Sequence, residues 1–254
     1  MLAIERRNAI LEKLQVERRV VVSELSELYD VSEETIRRDL EKLEAEGHAI
    51  KSYGGAVLNE NTNIDLPYNV RKNRNVAGKQ KIAALLSEMI RDGENIMLDA
   101  SSTAVAIAKA IKNKKDLTVI TNSLEIALEL IEAPNCRVIA TGGLSIGSSF
   151  AMVGHVTDQT IRSYYVDKSI ISAKGIHLEA GVTDSDERHA GNKASMLEMA
   201  KTKIIAIDSS KFDKIAFAKI VSLKDISVLV TDRKPDEIWL QKLEEMGVES
   251  VFPE

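Results

Sequence analysis

The sequence has few of the residues that build disulfide-based or metal-based folds. Its 254 residues include one cysteine and four histidines. Cys136 lies in the apolar run "CRVIA", where we interpret it as a buried thiol, and a single cysteine cannot form an intrachain disulfide. His155, His177 and His189 show neither HxH nor HExxH spacing. The sequence therefore indicates no redox chemistry, no metal site and no cofactor.

Long apolar runs are also absent. No run approaches the ~20 residues that a membrane-spanning helix needs. The N-terminus, "MLAIERRNAI", becomes charged after four residues and lacks the apolar segment of a secretion signal. We therefore expect a cytoplasmic protein with no membrane partner.

The chain has no surplus of positive charge. Its formal net charge is -5. Residues 1–58 hold 9 basic and 12 acidic side chains, and the remainder holds 25 and 27. This balance argues against a passive polyanion binder, so any contact with nucleic acid must come from local placement of cations.

Residues 1–58 predict a compact helical unit. With 44% hydrophobic residues, the whole chain can build one or two domains. A first amphipathic helix is indicated by apolar residues at helical spacing, namely Ile4, Ile10, Leu11 and Leu14. A short extended piece, "VVV", follows. Ser23 is a candidate N-cap for a second helix, which runs to Tyr29 and buries Leu25 and Leu28.

A third helix is predicted after a tight turn at Asp30 and Val31. Ser32 is suited to its N-cap, and Gly47 is suited to its C-terminal end. Two helices joined by a short turn make a helix-turn-helix. The following segment, "HAIKSYGGAVL", predicts a β-hairpin around its Gly-Gly pair.

Two arginines on the third helix point away from its buried stripe. Ile36, Leu40 and Leu43 fall within about 60° of one another on a helical wheel. In a helix-turn-helix, the N-terminal residues of the second helix meet base edges and phosphates in the major groove, and a guanidinium can pair bidentately with guanine. We predict contacts with double-stranded operator DNA from Ser32, Glu34, Thr35, Arg37, Arg38, Lys42, Lys51 and Tyr53, the last two on the hairpin as a wing. These residues alone leave open a purely structural or protein-contact role.

A linker is predicted at residues 59–78, because "NENTNIDL" is polar and has no helical or strand period. The segment that follows, "PYNVRKNRNVAGKQK", carries five cations and no acid. Two interpretations are open for it: a solvated connection into the next helix, or direct contact with nucleic-acid phosphates.

Residues 79–254 predict an α/β domain with a mainly parallel sheet. Short apolar runs alternate with amphipathic helical stretches, as in βαβ units. The runs are "NIMLD", "LTVIT", "CRVIAT", "KSIISA", "KIIAID" and "SVLVTD". The helices are expected at 103–112, 123–132, 187–201 and 235–246.

Four polar loops follow these strands and should meet at one edge of the sheet, where ligands bind in open parallel sheets. They are "DASST", "TNS", "TGG" and "AKG". Hydroxyls and free backbone N–H groups at a helix start could hold a phosphate, although the same residues could merely cap helices. We predict an effector site that includes Asp99, Ser101, Ser102, Thr103, Thr121, Asn122, Ser123, Gly142 and Gly143.

Three lysines are the candidates for neutralising a phosphate: Lys174, Lys193 and Lys211. Lys174 precedes Gly175, which completes the predicted site, and Lys211 follows a strand directly. Asp99 has two open roles, accepting hydrogen bonds from sugar hydroxyls or stabilising its own loop.

The sequence resembles the DeoR family of bacterial transcriptional regulators. Arg6, Ile10 and Leu14, followed by "SEETIRRDL", resemble the family's N-terminal signature, and "KSYGGAV" resembles its wing. "LDASST", "VITNS", "ATGG", "AKGI", "GVTDS" and "DSSKF" follow in the order expected for its C-terminal domain. The first loop departs from the family's Asp-Ser-Gly-Thr-Thr at Ala100, Ser101 and Ser102.

The resemblance implies a winged helix-turn-helix domain followed by a domain similar to ribose-phosphate isomerase and coenzyme A transferases. It implies a regulator, predicted to be a repressor of a carbohydrate-utilisation operon, that senses a phosphorylated sugar or a related metabolite as a homodimer or homotetramer. Two alternatives remain open. One is a sugar-phosphate isomerase with an accessory DNA-binding head, with Asp184, Asp186 and Lys193 as catalytic candidates. The other is a DNA-binding scaffold whose large domain only oligomerises.

Overall fold

The computed structural model describes residues 2–59 and 68–253, without the side chains of Gln15, Asn69 and Val70. The chain divides into two compact units, Met1–Asn61 and Thr62–Glu254. Residues 60–67, the first part of the predicted linker, lie outside the described residues. Within the described ranges, no helix has both the length and the apolar character needed to cross a bilayer.

The smaller unit is a helix-turn-helix with a three-stranded sheet. Its elements are α1 (Ala3–Glu17), β1 (Arg19–Val21), α2 (Val22–Tyr29), α3 (Glu33–Ala45), β2 (Ala49–Ser52) and β3 (Gly55–Leu58). Strand β3 lies between β1 and β2 and is antiparallel to both. The predicted turn and hairpin are therefore confirmed, and α3 ends before Gly47 as expected.

The core of the smaller unit confirms most of the predicted apolar stripes and corrects three details. Ile10, Leu14, Leu25, Ile36, Leu40 and Leu43 are buried together. Ser23 is not the N-cap of α2, because the helix begins at Val22, whose N–H donates to the Gly54 carbonyl of the hairpin at 2.8 Å. Leu28 is exposed, and Tyr29 packs at the core edge in its place. Ile4, in the first turn of α1, is also exposed.

A buried ion pair joins α1 to α3. Arg6 Nε lies 2.6 Å from Asp39 Oδ2, and Arg7 Nη1 lies 3.5 Å from Asp39 Oδ1. Arg6 and Asp39 are only 6% and 4% exposed. The pair fixes α3, the helix that carries Arg37 and Arg38, against the first helix of the unit.

The larger unit is built from alternating helices and strands. Its helices are α4 (Tyr68–Asn73), α5 (Val76–Met89), α6 (Ser102–Ala110), α7 (Leu124–Ile131), α8 (His155–Arg162), α9 (Glu187–Glu198) and α10 (Glu237–Glu245). Its strands are β4 (Asn95–Leu98), β5 (Leu117–Thr121), β6 (Cys136–Ala140), β7 (Leu144–Ile146), β8 (Ala151–Val153), β9 (Val166–Ile171), β10 (Gly175–His177), β11 (Gly181–Asp184), β12 (Ala200–Ala206), β13 (Ala218–Val221), β14 (Val228–Val230) and β15 (Glu249–Val251).

Seven strands form one fully parallel sheet in the order β15-β14-β12-β9-β4-β5-β6. Successive strand residues enter opposite hydrophobic cores, as their alternation across a sheet requires. Ile96, Leu98 and Ile170 pack on one face with α5, α6 and α7. Met97 and Ile171 pack on the other face with α9 and α10. The predicted α/β domain with a mainly parallel sheet is confirmed.

The second half of the predicted linker, 59–78, differs from the structure. Residues from Tyr68 onward form α4 and the start of α5, inside the larger compact unit. The Tyr68 ring is buried and packs edge-on against Phe150, with ring centroids 5.6 Å apart. Its N–H donates to the Ser148 carbonyl at 2.7 Å. The buried ring of Tyr68 thus packs this basic segment against the larger unit.

Candidate functional site

The N-terminus of α3 is ordered by the residues that the sequence indicated. The backbone N–H of Thr35 donates to Ser32 Oγ at 3.3 Å, and the two hydroxyls lie 2.9 Å apart. This contact satisfies one of the free N–H groups at the helix start. Ser32 remains exposed, so its hydroxyl is accessible as well as structural.

Arg37 and Arg38 point outward from α3, as the helical wheel predicts. Their side chains are 52% and 75% exposed. Arg37 Nη2 lies 2.5 Å from Glu33 Oε2, and Arg38 Nε lies 3.6 Å from Glu34 Oε1. Each arginine therefore has an acidic partner one turn earlier on the same helix. Exposed pairs of this kind contribute only about 0.3–0.5 kcal/mol, so they hold the two arginines weakly.

The other predicted DNA-contacting residues are all on the surface of the smaller unit. Lys42 is exposed on α3. Tyr53 is fully exposed at the hairpin tip. Lys51 Nζ, on β2, lies 3.0 Å from Glu41 Oε1 of α3. The hairpin and α3 are thus in contact through charged side chains.

The first loop of the parallel sheet forms a closed network of polar contacts. Asp99 is fully buried directly after β4, and Ser101 Oγ donates to its Oδ1 at 2.7 Å. Ser101 also caps α6, because its Oγ accepts from the N–H of Ala104 at 3.0 Å. Ser102 Oγ donates to the carbonyl of Arg71 at 3.3 Å. The loop-stabilising role of Asp99 therefore has direct structural support.

Lys193 is the centre of a buried charge network. Its ammonium forms an ion pair with Asp184, lies 3.2 Å from Asp99 Oδ2 and donates to the Ser172 carbonyl at 2.9 Å. Burial opposes the charged form of Lys193, but the two carboxylates outweigh it, so the pKa of Lys193 is raised. The same pairing outweighs burial at Asp184 and lowers the pKa of that carboxyl. The charge of Lys193 is therefore already compensated within the protein.

The second and third loops also use their polar groups internally. Thr121 Oγ1 donates to the Leu98 carbonyl at 2.8 Å, and Ser123 caps α7 by accepting from the N–H of Ile126 at 3.2 Å. Asn122 Nδ2 donates to the Met152 carbonyl at 3.0 Å, but its Oδ1 is buried without a hydrogen bond. Among the buried side-chain oxygens and nitrogens that the structure describes in this loop, only this one has no hydrogen-bond partner.

The glycine pair of the third loop is explained by packing. Gly142 and Gly143 both have positive φ, 68° and 113°. A Cβ on Gly143 would lie 2.2 Å from Thr157 Oγ1, whose hydroxyl donates to the Gly142 carbonyl at 2.7 Å. The two glycines let this loop approach α8 closely, and this accounts for them without a ligand.

The remaining candidates are placed on two further elements of the same unit. Lys174 is half-buried, and its N–H donates to the Thr183 carbonyl at 3.0 Å, directly before Gly175 at the start of β10. Lys211 is half-buried in the short 3-10 helix Ser209–Lys211, beyond the end of β12. Asp208 caps this helix, and its carboxylate accepts from the N–H and hydroxyl of Ser210.

Sequence reasoning did not identify several residues that organise this region. Lys193, on α9, pairs with Asp184, nine residues earlier at the end of β11, and with Asp99, which is distant in sequence. Lys79, on α5, is 6% exposed and donates to the carbonyls of Arg71 and Arg74, both at 2.5 Å. The sequence around Lys79, which follows Gly78 in the helix, contains no pattern that predicts burial of this lysine. Among the described residues, no group of three or more His, Cys, Asp or Glu is arranged to hold a metal ion.

Two family models match the chain. The description "DeoR-like helix-turn-helix domain" covers residues 6–62, and "DeoR C terminal sensor domain" covers residues 74–233. The first covers most of the smaller compact unit and the second covers most of the larger one.

Curated relatives match over almost the whole chain. An uncharacterised HTH-type transcriptional regulator of Bacillus subtilis, YulB, is 39% identical over 98% of this chain and 96% of its own length. The HTH-type transcriptional repressor GlcR of the same organism is 34% identical over 98% and 96%. The glycerol-3-phosphate regulon repressor of Escherichia coli is 28% identical over 94% of each chain.

Solved structures resemble the larger part of the chain. Ribose 5-phosphate isomerase A of Methanocaldococcus jannaschii is 17% identical, with a TM-score of 0.39 over 53% of each chain.

Proposed function

The chain belongs to the DeoR family of transcriptional regulators, and from this membership we propose that it is a repressor of a carbohydrate-utilisation operon. Its family is one of DNA-binding regulators with a small-molecule sensor domain, not of enzymes, so the isomerase alternative is set aside. A relative named as a glycerol-3-phosphate regulon repressor supports a phosphorylated sugar or related metabolite as the effector.

The observation that carries the DNA-binding proposal is the outward placement of Arg37 and Arg38 at the N-terminal half of α3. The buried pair of Arg6 and Asp39 fixes the helix behind them. In the proposed complex, α3 enters the major groove and Arg37 or Arg38 pairs with a guanine. Ser32, Glu34, Thr35 and Lys42 flank that contact on the same helix, and Lys51 and Tyr53 of the wing touch the adjacent backbone.

The proposed effector site lies at the carboxyl ends of the parallel strands. There the loops that contain Asp99, Asn122, Gly142 and Gly175 leave the sheet at the same edge. We assign sugar-hydroxyl recognition to the polar groups around Lys193, because its charge is already compensated, and phosphate recognition to Lys211. Ser102, at the N-terminus of α6, is assigned to the same site.

A gel-shift on the DNA upstream of this gene and its neighbours, with and without sugar phosphates, tests the proposal. We expect a specific complex that one of the sugar phosphates weakens. Arg37→Ala or Arg38→Ala should cost ~1–3 kcal/mol of operator binding and relax specificity at one base. Lys13→Ala is the matched control, since it removes an i,i+4 ion pair of α1, 2.5 Å to Glu17, and leaves α3 intact. Full operator affinity in both arginine variants would refute the groove assignment.

We also propose that the chain acts as a homodimer or homotetramer. Leu124, Leu128 and Ile131 share one face of α7 and are 36%, 70% and 72% exposed. They adjoin β6, the last strand at one end of the sheet. A contiguous apolar stripe beside a strand edge is suited to a subunit contact. Sedimentation of Leu128→Asp should show a smaller species than the wild type, and an unchanged species would place the contact elsewhere.

A further inference from the structure

A cavity lies between α4, α5 and α6 of the larger unit. It measures about 540 Å³, a size typical of small-molecule sites, which span ~300–1,000 Å³. Among the described residues that line it, Ser102 alone belongs to the predicted effector site. Because Ser102 is the first residue of α6, the cavity runs from the strand ends along that helix. We call this cavity the helix groove.

Small side chains at helical spacing open the helix groove. Ser102, Ala106 and Ala110 recur every four residues on α6 and therefore share one face of that helix. Ala83 and Ala84 line the groove from α5. Larger side chains at these positions would fill the space between the two helices, as side chains do in a close-packed interior. The sequence thus leaves an apolar channel between α5 and α6.

Helix α4 supplies the third wall of the helix groove. Tyr68 and Lys72 lie one turn apart on α4, and both line the groove. The carbonyl of Arg71 accepts from Ser102 Oγ at 3.3 Å, so this wall meets the start of α6. The Tyr68 ring is buried and packs on Phe150, which holds the wall in place. A ligand in the groove therefore contacts three helices at once.

The charged side chains of the helix groove are all positive. The described residues that line it include three lysines and no acid. The ammonium of Lys79 is held by the carbonyls of Arg71 and Arg74, both at 2.5 Å. Lys72 is exposed, and its Nζ lies 6.0 Å from the centroid of the Tyr68 ring. Within the part of the chain that the structure describes, Lys72 has no carboxylate partner.

Lys109 is the second accessible cation of the helix groove. It lies seven residues after Ser102 on α6, which corresponds to about 10 Å along the helix axis. Lys109 Nζ is 3.9 Å from Glu129 Oε2, whereas Lys112 Nζ is 2.5 Å from the other oxygen of this carboxylate. The Lys109 side chain is 61% exposed, and an exposed pair at this distance holds it weakly. Both Lys72 and Lys109 are therefore available to a ligand.

We propose that the helix groove is a second ligand site, which binds an amphipathic organic anion. Such a molecule has an apolar body and one carboxylate or sulfonate group. The anionic group pairs with Lys72 or Lys109, and the apolar body lies on the apolar lining side chains, which are those of Val76, Ala83, Ala84, Val105, Ala106 and Ala110. The many hydroxyls of a sugar phosphate do not match these walls, because they would be buried without partners. The site therefore takes a different class of ligand from the proposed effector.

The test measures ligand binding to the full-length protein. The probe is anilinonaphthalene sulfonate, an aromatic sulfonate whose fluorescence rises in apolar surroundings. Octanoate and octanol compete with the probe, because they share an apolar chain and differ in charge. Ala84→Leu and Ala110→Leu place larger side chains in the helix groove from exposed positions on α5 and α6, so the fold should tolerate them. Ala77→Leu is the matched control, since Ala77 is exposed on α5 and is not a lining residue.

The contribution of charge is tested by Lys72→Gln and Lys109→Gln. Lys81→Gln is the matched control, because Lys81 is exposed on α5 and does not line the helix groove. Removal of an exposed charge should weaken octanoate binding about two- to fivefold in each groove variant. The control should bind octanoate as the wild type does.

We expect octanoate to displace the probe from the wild type and from Ala77→Leu, and octanol to displace it much less. Each groove leucine variant should bind the probe at least about tenfold more weakly, because the added side chain occupies the apolar channel. Probe affinity equal to that of Ala77→Leu in both groove variants would overturn the site. Equal displacement by octanol and octanoate, or undiminished octanoate affinity in both lysine variants, would overturn the assignment to an anion.

Sedimentation of Ala84→Leu tests the other possible occupant, a second copy of the chain. A species of wild-type size is expected. A smaller species would make the helix groove a subunit contact and overturn the ligand site. Because these measurements do not involve DNA, their failure would leave the regulator proposal to be decided by the gel-shift.

Discussion

Replacing Asp39 by alanine should unfold the DNA-binding unit and leave the sensor unit intact. The change removes the carboxylate that accepts from Arg6 Nε at 2.6 Å, and it leaves a guanidinium that is 6% exposed without its main counter-charge. Breaking a buried pair in this way costs ~3–5 kcal/mol, far more than an exposed pair contributes. A unit of about 60 residues has a total stability of roughly 3–9 kcal/mol. Operator binding should therefore be lost at 37 °C.

The single tryptophan makes the assay selective. Trp239 is 2% exposed in the larger unit, so its fluorescence follows only that unit during urea unfolding. Far-UV circular dichroism also records the helices of the smaller unit. In Asp39→Ala the smaller unit should already be unfolded without urea, so its separate transition at low urea should be missing from the dichroism signal. The urea midpoint of the Trp239 fluorescence should stay at its wild-type value.

A double variant separates the ion pair from general damage to the core. Arg6→Met combined with Asp39→Leu removes both charges and keeps apolar volume, so it should recover most of the lost stability. The reasoning is wrong if Asp39→Ala shifts neither signal. It is also wrong if the double variant is no more stable than the single one.

Three further predictions concern other charges. Glu33→Gln removes the acidic partner of Arg37, so the affinity of the protein for operator and for random DNA should rise about twofold when measured by fluorescence anisotropy. Weaker binding would contradict the idea that the ion pair competes with DNA. Lys193→Met should lower the unfolding free energy of the larger unit by ~3–5 kcal/mol, read from Trp239, since it leaves two buried carboxylates unpaired; a loss below about 1 kcal/mol would contradict the network. Because folding lowers the pKa of Lys79 from 10.5 to about 7, the unfolded chain alone is protonated there between pH ~7 and ~10.5, so stability should rise with pH across that window by at most ~5 kcal/mol. Lys79→Met should flatten this rise, and an unchanged slope would exclude Lys79 as its source.

The parallel sheet was predictable because its strands are continuous apolar runs. "LTVIT" corresponds residue for residue to β5, and "NIMLD" contains β4. The small antiparallel pieces, such as β7 and β8, were not predicted, since three-residue strands carry too few residues to show a period. The predicted cap of α2 was wrong because the helix begins one residue before Ser23, at Val22, whose N–H donates to a hairpin carbonyl distant in sequence.

The candidate site was predictable as a set of loops but not as a charge distribution. Strand ends locate Asp99, Asn122 and Lys211 at one edge of the sheet. No local pattern shows that Lys193 is paired with two carboxylates or that Lys79 is buried, because both results depend on how separate elements pack together. The basic segment resembled a solvated linker, and only the packing of Tyr68 reveals that its arginines belong to the sensor.

Helix α3 carries acidic partners for its own arginines. Glu33 and Glu34 pair with Arg37 and Arg38 in the structure, so in the proposed DNA complex a random phosphate would have to compete with a carboxylate that is already in place. We therefore expect the protein to dwell only briefly on non-operator DNA. Binding to a correctly placed guanine should be weakened less than binding to random phosphates. The two acidic partners should thus lower the overall affinity for DNA modestly and shorten the time that the protein needs to find its operator.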